Sequence, residues 1–260
     1  PGDTIDEFYP DGGPDYGAWG FARDPADGNI WAAGPDTYEF CKLGKFENNP
    51  SHNMIIPFEY IWGPVWIIDI AYPYECNGVD CIAITDGEIS EIGLYNPYSH
   101  NHEGDIPVNP FTGGCNSGIA ANPDNNHLFA ANRDYKEILE WDGTSWNIFT
   151  TFYEETMYTW GVAYGWNHLF VAFGMGNCTP KIVVFDENGE YVEEYELTGW
   201  HPSGQIAGMG CARENAVGDN ESVYVCSIAE YGLVKEVEVG NFGTLQLDET
   251  TFGGIKAMFR

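Results

Sequence analysis

The side chains best suited to metal binding in this 260-residue sequence are concentrated in one short segment. His100 and His102 are separated by one residue, and Glu103 and Asp105 follow them. If the segment is a β-strand, both imidazoles point to one face, and the carboxylates beside them favour a metal site. The alternative is a polar insertion loop, because the spacing identifies no third ligand.

A second group of oxygen-bearing side chains, Asp186, Asn188 and Glu190, alternates as in short calcium-binding loops. The same residues also form an ordinary Asn-Gly hairpin turn, and this is the favoured interpretation. Asp24 and Asp27 form a comparable turn. Ca²⁺ is therefore the one cofactor that the sequence leaves open, and none is certain.

The seven cysteines predict a set of disulfide bonds. Two pairs occupy the first two strands of equivalent hairpins in different repeats, and a third pair would join loops on one face of adjacent repeats. The predicted bridges, with Cys41 left over, are Cys76–Cys81, Cys211–Cys226 and Cys115–Cys178. The alternative is a set of buried thiols in a reducing compartment.

Seven aromatic residues lie just before or at the first strand of a sequence repeat. Aromatic rings beside acidic groups can stack on the apolar face of a sugar, so these residues are candidates for binding a neutral glycan. The alternative is that they pack in the core between repeats. They are Tyr16, Trp19, Trp62, Trp66, Tyr158, Trp160 and Trp200.

The sequence offers no anchor for catalysis: it has no G-x-S-x-G motif, phosphate loop or dinucleotide fingerprint. Its many carboxylates make any single pair uninformative for glycoside hydrolysis. The residues therefore favour a protein that is not an enzyme. Two sequons, at Asn177 and Asn220, are candidate glycosylation sites.

The charge is strongly acidic, with 40 Asp and Glu against 10 Lys and Arg and a formal net charge of -30. Such a surface repels phosphate backbones and anionic lipids, which argues against a nucleic-acid partner. No apolar run approaches the roughly 20 residues that cross a bilayer. The acidity and the predicted disulfides indicate an extracellular or cell-surface protein.

These candidate residues are positioned by an internal repeat with a period of 43 to 49 residues. Its marker is a short phrase: a small or polar residue, an apolar residue and usually alanine. Repeats start near residues 18, 67, 116, 159 and 203. The copies are Gly20-Phe21-Ala22, Asp69-Ile70-Ala71, Gly118-Ile119-Ala120, Gly161-Val162-Ala163, Gln205-Ile206-Ala207 and a weaker sixth, Gly254-Ile255-Lys256.

Each repeat contains about four short strands separated by turn residues, which is typical of a propeller blade. The fold class is therefore all-β, a single β-propeller domain over residues 1–260 with about five four-stranded blades. The segment Trp19–Pro25, the strand Asn29–Ala33 and the parallel stretch Ser117–Ala131 resemble the bacterial extracellular propellers of the NHL and YVTN type. That resemblance implies a fold and a surface location, but no activity.

The two ends of the chain leave the blade count open. Thr4–Tyr9 resembles a fourth strand that pairs with the last repeat and closes the ring. Thr244–Asp248 also resembles a fourth strand, and an apolar segment at residues 252–260 follows it. Either five blades close with a spare C-terminal strand, or a sixth blade is partial.

The first functional hypothesis is a non-enzymatic extracellular module for binding or assembly, with a neutral glycan or further copies of itself as partner. The second is a structural subunit of a surface fibre or layer that assembles by exchange of terminal strands. The third is a carbohydrate-active enzyme working at the channel mouth.

Overall fold

The computed structural model describes residues 1–10, 13–14, 17–37, 40–61, 67–86, 91–107, 116–132, 136–151, 159–174, 179–197, 200, 206–213, 216, 220–227 and 232–242. Within these ranges, no helix has the length and apolar character that crossing a membrane requires. The predicted C-terminal strands, Thr244–Asp248 and residues 252–260, lie outside the described residues.

The strands in the described ranges form five antiparallel sheets of four, and each sheet is one blade of a β-propeller. Blade 1 contains β2 (Gly20–Arg23), β3 (Ile30–Thr37), β4 (Phe40–Phe46) and β5 (Met54–Ile61). Blade 2 contains β6 (Ile67–Cys76), β7 (Val79–Asp86), β8 (Glu91–Tyr95) and β9 (His102–Pro107). Blade 3 contains β10 (Asn116–Asn122), β11 (His127–Asn132), β12 (Glu137–Trp141) and β13 (Trp146–Thr151). Blade 4 contains β14 (Thr159–Gly165), β15 (His168–Phe173), β16 (Lys181–Asp186) and β17 (Tyr191–Glu196). Blade 5 contains β18 (Ile206–Cys211), β19 (Ser222–Ser227), β20 (Leu233–Glu238) and, from the N-terminus, β1 (Thr4–Phe8).

The N-terminal strand β1 supplies the outer strand of blade 5. It pairs antiparallel with β20, with Glu7 opposite Lys235 and Phe8 opposite Val234. The prediction of five blades closed by the N-terminal segment is therefore confirmed. Closure in this way pairs the free edge of β20 and ties the two ends of the described chain together.

The hydrophobic core consists of five clusters, each between two consecutive blades. Neighbouring residues of one strand contribute to different clusters: Trp31 packs toward blade 2, whereas Ile30 and Ala32 pack toward blade 5. This follows from the strand geometry, since successive side chains point to opposite faces of a sheet. The aromatic and aliphatic residues of the repeat therefore fill both faces of every blade.

The innermost strands meet in a ring around the central channel that is almost entirely glycine: Gly20, Gly118, Gly161 and Gly208, with Asp69 as the fifth member. A Cβ at Gly118 would lie 2.8 Å from the Val162 nitrogen, and one at Gly161 would lie 2.7 Å from the Met209 nitrogen. Glycine is required here because the strand backbones approach one another so closely.

The ring corrects the fifth copy of the repeat phrase. The sequence assigned Gln205-Ile206-Ala207, but the residue that meets Gly161 in blade 5 is Gly208, followed by Met209. The pairing of β18 with β19 is irregular between Ile206 and Met209, so the repeat position falls three residues later. A strand irregularity of this kind cannot be recognised from the three-residue repeat phrase, because the phrase tolerates many residue types.

Candidate functional site

Asp69 closes the central channel at the level of the glycine ring. Its side chain is fully buried, and its Oδ1 accepts a hydrogen bond from the Ile70 N–H at 3.0 Å. Its Oδ2 accepts bonds from the N–H groups of Ile119 at 3.2 Å and Val162 at 3.4 Å. One carboxyl group of blade 2 thereby joins the inner strands of blades 3 and 4 across the channel.

The protonation of Asp69 is governed by its burial. Burial raises the pKa of this carboxyl group well above the usual value, although hydrogen bonds from Ile119, Ile70, Val162 and Met209 work in the opposite direction. The backbone beside it is fixed as well, because the Thr85 hydroxyl bonds to both the nitrogen and the oxygen of Asp69 at 3.1 Å. Asp69 is therefore a fixed plug rather than an exposed acid.

On one side of this plug the channel widens into a cavity of about 360 Å³, here called the funnel. It opens on the face that carries the turns between the first and second strand of each blade. Its deep part is lined by residues that follow the ring, such as Phe21, Ile70 and Val162, and its rim includes Pro25 and Pro123. The volume is in the range of small-molecule sites, roughly 300–1,000 Å³.

The funnel wall also offers backbone polar groups. Each innermost strand has one free edge, and that edge faces the channel. Alternate residues of a strand direct their N–H and C=O groups to the same side. The Ile119 N–H points into the channel toward Asp69, so the N–H and C=O groups of Ala121, two residues later, point into the funnel. The wall therefore combines apolar side chains with hydrogen-bonding groups, as ligand pockets usually do.

Two charged side chains line the funnel on opposite sides. Arg23 ends β2 in blade 1 and acts electrostatically on Cys211 in blade 5, while Asp124 follows β10 in blade 3 and acts on Tyr164 in blade 4. Burial raises the pKa of the Cys211 thiol to about 12, although Arg23 opposes the shift. The thiol is consequently not a ready nucleophile at neutral pH.

Two tyrosines are held in the funnel wall by neighbouring rings. Tyr164 stacks on Phe129 with ring centroids 5.4 Å apart, and Tyr72 lies against Trp31 at 6.0 Å. Burial, followed by the charge of Asp124, raises the pKa of Tyr164 to about 12. Both rings are thus preorganised, which lowers the entropy that a ligand contact must overcome.

Trp166 completes the aromatic part of the rim in a strained conformation. Its φ is 51°, in the left-handed region that bulky residues rarely adopt, and Asn167 beside it has φ 58°. The indole contacts Phe170 edge to face at 5.8 Å and also lines the funnel. The two residues form the two-residue turn between β14 and β15, in which both central residues take a positive φ.

The described members of the predicted aromatic platform precede or begin the inner strands and do not line the funnel. Trp19 is buried between blades 5 and 1, and Trp160 and Trp200 are partly buried against the core between blades 4 and 5. In these three positions the structure shows inter-blade packing. The other four candidates, Tyr16, Trp62, Trp66 and Tyr158, lie outside the described residues.

The two candidate metal ligands do not share a strand face. His100 lies in a turn with φ 58°, and β9 begins only at His102. The Nε2 atom of His102 lies 2.8 Å from the Asp105 carboxylate. In the described part of the chain, no group of three or more His, Cys, Asp and Glu side chains is arranged to hold a metal ion. The prediction that His100 and His102 point to one face of a strand is therefore wrong, because only His102 belongs to the strand.

The Asp186 segment forms the hairpin turn that the sequence favoured over a calcium loop. Asp186 Oδ1 accepts hydrogen bonds from the N–H groups of Asn188 and Glu190, both at 2.9 Å. These bonds lower the pKa of Asp186 below its usual value: the Glu190 bond is the largest cause, and burial opposes it. A carboxylate used in this way stabilises the turn itself.

The predicted Cys211–Cys226 bridge is not formed, and the geometry opposes it. Cys211 is a free thiol in the cluster between blades 4 and 5, whereas Cys226 lies in the cluster between blades 5 and 1. The two side chains thus lie on opposite faces of one blade. Because side chains alternate between the two faces of a sheet, a shift of one residue in strand register decides whether two cysteines share a face.

Cys76 and Cys81 are also free thiols, but they share the cluster between blades 2 and 3. Burial, with the nearby Cys76 thiol as a further cause, raises the pKa of Cys81 to about 12. The structure therefore brings this predicted pair together without bonding it. The third pair, Cys115 and Cys178, lies outside the described residues.

Of the two sequons, Asn177 lies outside the described residues, and Asn220 is already engaged. The Asn220 amide donates a 2.6 Å hydrogen bond to Glu238. Attachment of a glycan to this nitrogen would therefore require the hydrogen bond between Asn220 and Glu238 of β20 to break.

Several residues of the funnel escaped sequence reasoning, namely Arg23, Tyr72, Asp124, Tyr164 and Trp166. The chain contains many aromatic and acidic residues, so nothing marked these as a group. The signal for Asp69 was present: it is the one acidic residue in the first position of the repeat phrase.

These observations define a five-bladed β-propeller with a plugged central channel and a funnel on one face. The sequence matches no protein-family model and no curated protein. Glutaminyl cyclase of Myxococcus xanthus is similar in fold, with a TM-score of 0.58 and 11% identity over 91% of this chain and 96% of that one. The calcium-binding protein regucalcin from Agrobacterium tumefaciens gives a TM-score of 0.54 and 12% identity, over 94% of this chain and 96% of its own.

A third similar structure comes from the nidogen/laminin complex, with a TM-score of 0.50 and 15% identity, covering 83% of this chain and 78% of that one. At such identities the similarity shows the propeller fold alone. It does not distinguish the NHL and YVTN repeat types from other propellers, nor does it indicate a source organism.

Proposed function

We propose that this protein is a non-enzymatic binding module that holds a small organic ligand in the funnel. The observation that carries the proposal is the channel itself: Asp69 closes it at the ring, and beyond the ring it widens into a mainly apolar cavity, open to one face, with backbone polar groups and preorganised aromatic rings. Preorganised, mixed apolar and polar walls are typical of ligand sites.

A binding role fits the chemistry of the funnel better than catalysis. The titratable side chains Cys211 and Tyr164 both have pKa values raised to about 12, so they keep their protons at neutral pH. Groups in these states donate and accept hydrogen bonds but are poorly suited to act as nucleophile or base.

The test is a screen of small organic fragments by ligand-observed NMR, with two variants in one turn. Pro25 is exposed and lines the funnel, so Pro25→Trp should obstruct its mouth and abolish fragment binding. Ala26 is exposed and next in sequence but does not line the cavity, so Ala26→Trp serves as the matched control. Equal fragment binding by both variants, or no binding to the natural protein, would contradict the proposal.

An extracellular or cell-surface location is part of this proposal and is supported by the net charge of -30. Labelling of intact cells with an antibody against the chain tests it. Antibody that reaches the protein only after permeabilisation would contradict this location.

A neutral glycan at the opposite mouth is a second candidate ligand. It is favoured by Trp160, which lies on the innermost strand of blade 4 and is partly rather than fully buried. If a glycan is held there, Trp160→Ala should remove binding to a glycan array while the unfolding transition is retained. The same array, followed by analysis for cleaved products, tests the alternative of a carbohydrate-active enzyme.

Self-assembly through the C-terminal segment is the third candidate. It is favoured by the closure of blade 5, since β1 already provides the fourth strand of that blade. Deletion of residues 252–260 should then abolish assembly seen in calcium and salt, which moderate the repulsion between acidic subunits. A natural chain that stays monomeric at high concentration would contradict this proposal.

A further inference from the structure

We propose that the ligand of the funnel is a small organic cation, an amine or quaternary ammonium compound with an apolar body. This inference rests on the proposed function, because it names the ligand class of the same site. It is carried by the charges around the cavity, by the aromatic rings in its wall and by the apolar floor above Asp69.

Carboxylates dominate the electrostatics on the side of blades 3 and 4. Asp124 lines the rim, and Tyr164 inside the funnel lies within the electrostatic reach of Asp124, Glu187 and Glu140. A concave site with low-dielectric walls concentrates such a field. A positive group in the funnel is therefore attracted to this side.

On the side of blade 2, Tyr72 lines the funnel, and its pKa is raised first by burial and then by Asp24, Tyr98 and Asp80. The Asp24 carboxylate is paired with Lys45 at 2.6 Å, so Asp80 is the carboxylate of this set whose charge that ion pair does not offset. Among the residues described as lining the cavity, Arg23 is the cationic side chain, against a background of -30 for the whole chain. The net field thus favours a cation over an anion.

The aromatic rings supply the second requirement for binding an organic cation. Tyr72, Tyr164 and Trp166 come from different positions around the funnel, and their ring faces can attract a positive charge through the π-electron quadrupole. Trp166 is placed at the rim by a strained backbone, and Tyr164 is fixed by stacking on Phe129. Rings around a charged centre are the usual means of recognising quaternary ammonium groups.

The floor of the funnel favours an apolar body on the ligand. The residues that line it are apolar, namely Ile70, Ile119, Ala120, Val162 and Ala163. The isoleucine and valine side chains are at most 1% exposed, so the alanines and the strand backbones form most of this surface. A hydrophilic metal cation gains nothing from such a floor, whereas methyl or methylene groups do, at roughly 0.8 kcal/mol for each buried methylene. The combination selects an organic cation rather than a bare metal ion.

The positive charge of Arg23 allows the predicted charge of the ligand to be tested. Its guanidinium lies on the side of blades 5 and 1, away from Asp124. It opposes a cationic ligand by repulsion, whereas it would assist an anionic one. Neutralising Arg23 and neutralising Asp124 must therefore shift the affinity in opposite directions.

The experiment titrates the full chain with matched probes by calorimetry or NMR. Choline is compared with its neutral tert-butyl analogue, and benzylammonium is compared with benzyl alcohol and with benzoate. The cationic probes should bind roughly three- to tenfold more tightly than the neutral ones, benzoate should bind most weakly, and added salt should reduce the difference.

Asp124 is exposed and Arg23 is half-buried, so the unfolding transition of each variant is measured first to establish that the fold is preserved. Asp124→Asn should weaken choline binding about threefold, and Arg23→Gln should strengthen it by a similar factor. Asp105→Asn on the outer strand β9 is the control and should leave the affinity unchanged. The neutral analogue should bind all these variants equally.

The outcomes separate this inference from the proposed function. If neutral probes bind as tightly as cations, or if benzoate binds best and Arg23→Gln weakens it, the cation inference is overturned while the funnel remains a ligand site. If neither the probes nor the screened fragments bind to the funnel, both proposals fail.

Discussion

Replacement of Asp69 by asparagine is the most informative perturbation of the fold, because this residue joins three blades across the channel. The variant keeps the size of the side chain but has no titratable group. With the natural protein, the folded state holds a carboxyl group whose pKa is raised well above its usual value by burial. In the unfolded chain the same group ionises near the ordinary value of 3.8.

The sign of the pH effect follows from this difference in pKa. Above pH 3.8 the unfolded chain has lost the Asp69 proton while the folded chain retains it, so the folded state binds more protons. The contribution of Asp69 to stability is fully present below that pH, and it is lost as pH rises toward the folded pKa. The slope approaches about 1.4 kcal/mol per pH unit, because one proton is released.

The assay is urea unfolding followed by tryptophan fluorescence, between roughly pH 4 and pH 8 at constant ionic strength. The free energy of unfolding of the natural protein should fall with pH relative to Asp69→Asn. Asp80→Asn, an exposed position in the same blade, should reproduce the slope of the natural protein. A difference that is flat, or that grows in favour of the natural protein at high pH, would refute the reasoning and show an ionised Asp69 held by its N–H donors.

Truncation of the same side chain tests its hydrogen bonds. Asp69→Ala leaves the N–H groups of Ile119 and Val162 without their acceptor in the buried channel. Each orphaned donor costs about 1–3 kcal/mol, so a total near 3 kcal/mol is expected. At this chain length that corresponds to a fall in Tm of roughly 6–12 °C. A change below about 2 °C would show that the plug contributes little to stability.

Four further changes give clear expectations. Lys45 is 4% exposed and pairs with a buried aspartate, so Lys45→Met should destabilise the fold by roughly 3 kcal/mol in urea unfolding. Lys181→Met breaks a pair whose acidic partner is 45% exposed and should cost below about 1 kcal/mol; equal losses would contradict the role of burial. Removal of residues 1–9 strips the outer strand of blade 5, so size-exclusion chromatography should show aggregation, and a monodisperse folded product would show that closure is dispensable. Oxidation of the free thiols Cys76 and Cys81 should form a disulfide that peptide mapping detects and that adds roughly 2 kcal/mol of stability; two free thiols after oxidation would end that expectation.

The fold was readable from the sequence because a propeller repeats one simple unit. The phrase around Phe21, Ile70, Ile119 and Val162 marks the innermost strand of four blades, and the structure places all four beside the channel. Short continuous apolar runs, such as those in β11 and β15, marked the strands, since each blade buries both of its faces. The same reasoning failed for blade 5, where an irregular strand moved the ring position to Gly208.

The candidate site was not readable in the same way. Asp69 stood out within the repeat phrase, but its role depends on N–H groups from Ile119 and Val162, which are 50 and 93 residues away along the chain. Arg23 and Asp124 face the same cavity only because their blades curve around one axis. No local pattern encodes that proximity.

The fold class, the approximate number of blades and the acidic composition follow from the amino-acid sequence, whereas the choice between five and six blades was left open until β1 was seen to complete blade 5. The former properties depend on short apolar runs, on turn residues and on composition, which can be recognised one segment at a time. Three features became visible only in the folded chain: the faces that the cysteines occupy, the packing of Trp19 and Trp160 between blades, and the closure of the channel by one aspartate at the base of the funnel. Those outcomes depend on register and on the meeting of distant strands, where a shift of a single residue moves a side chain from one interface to another.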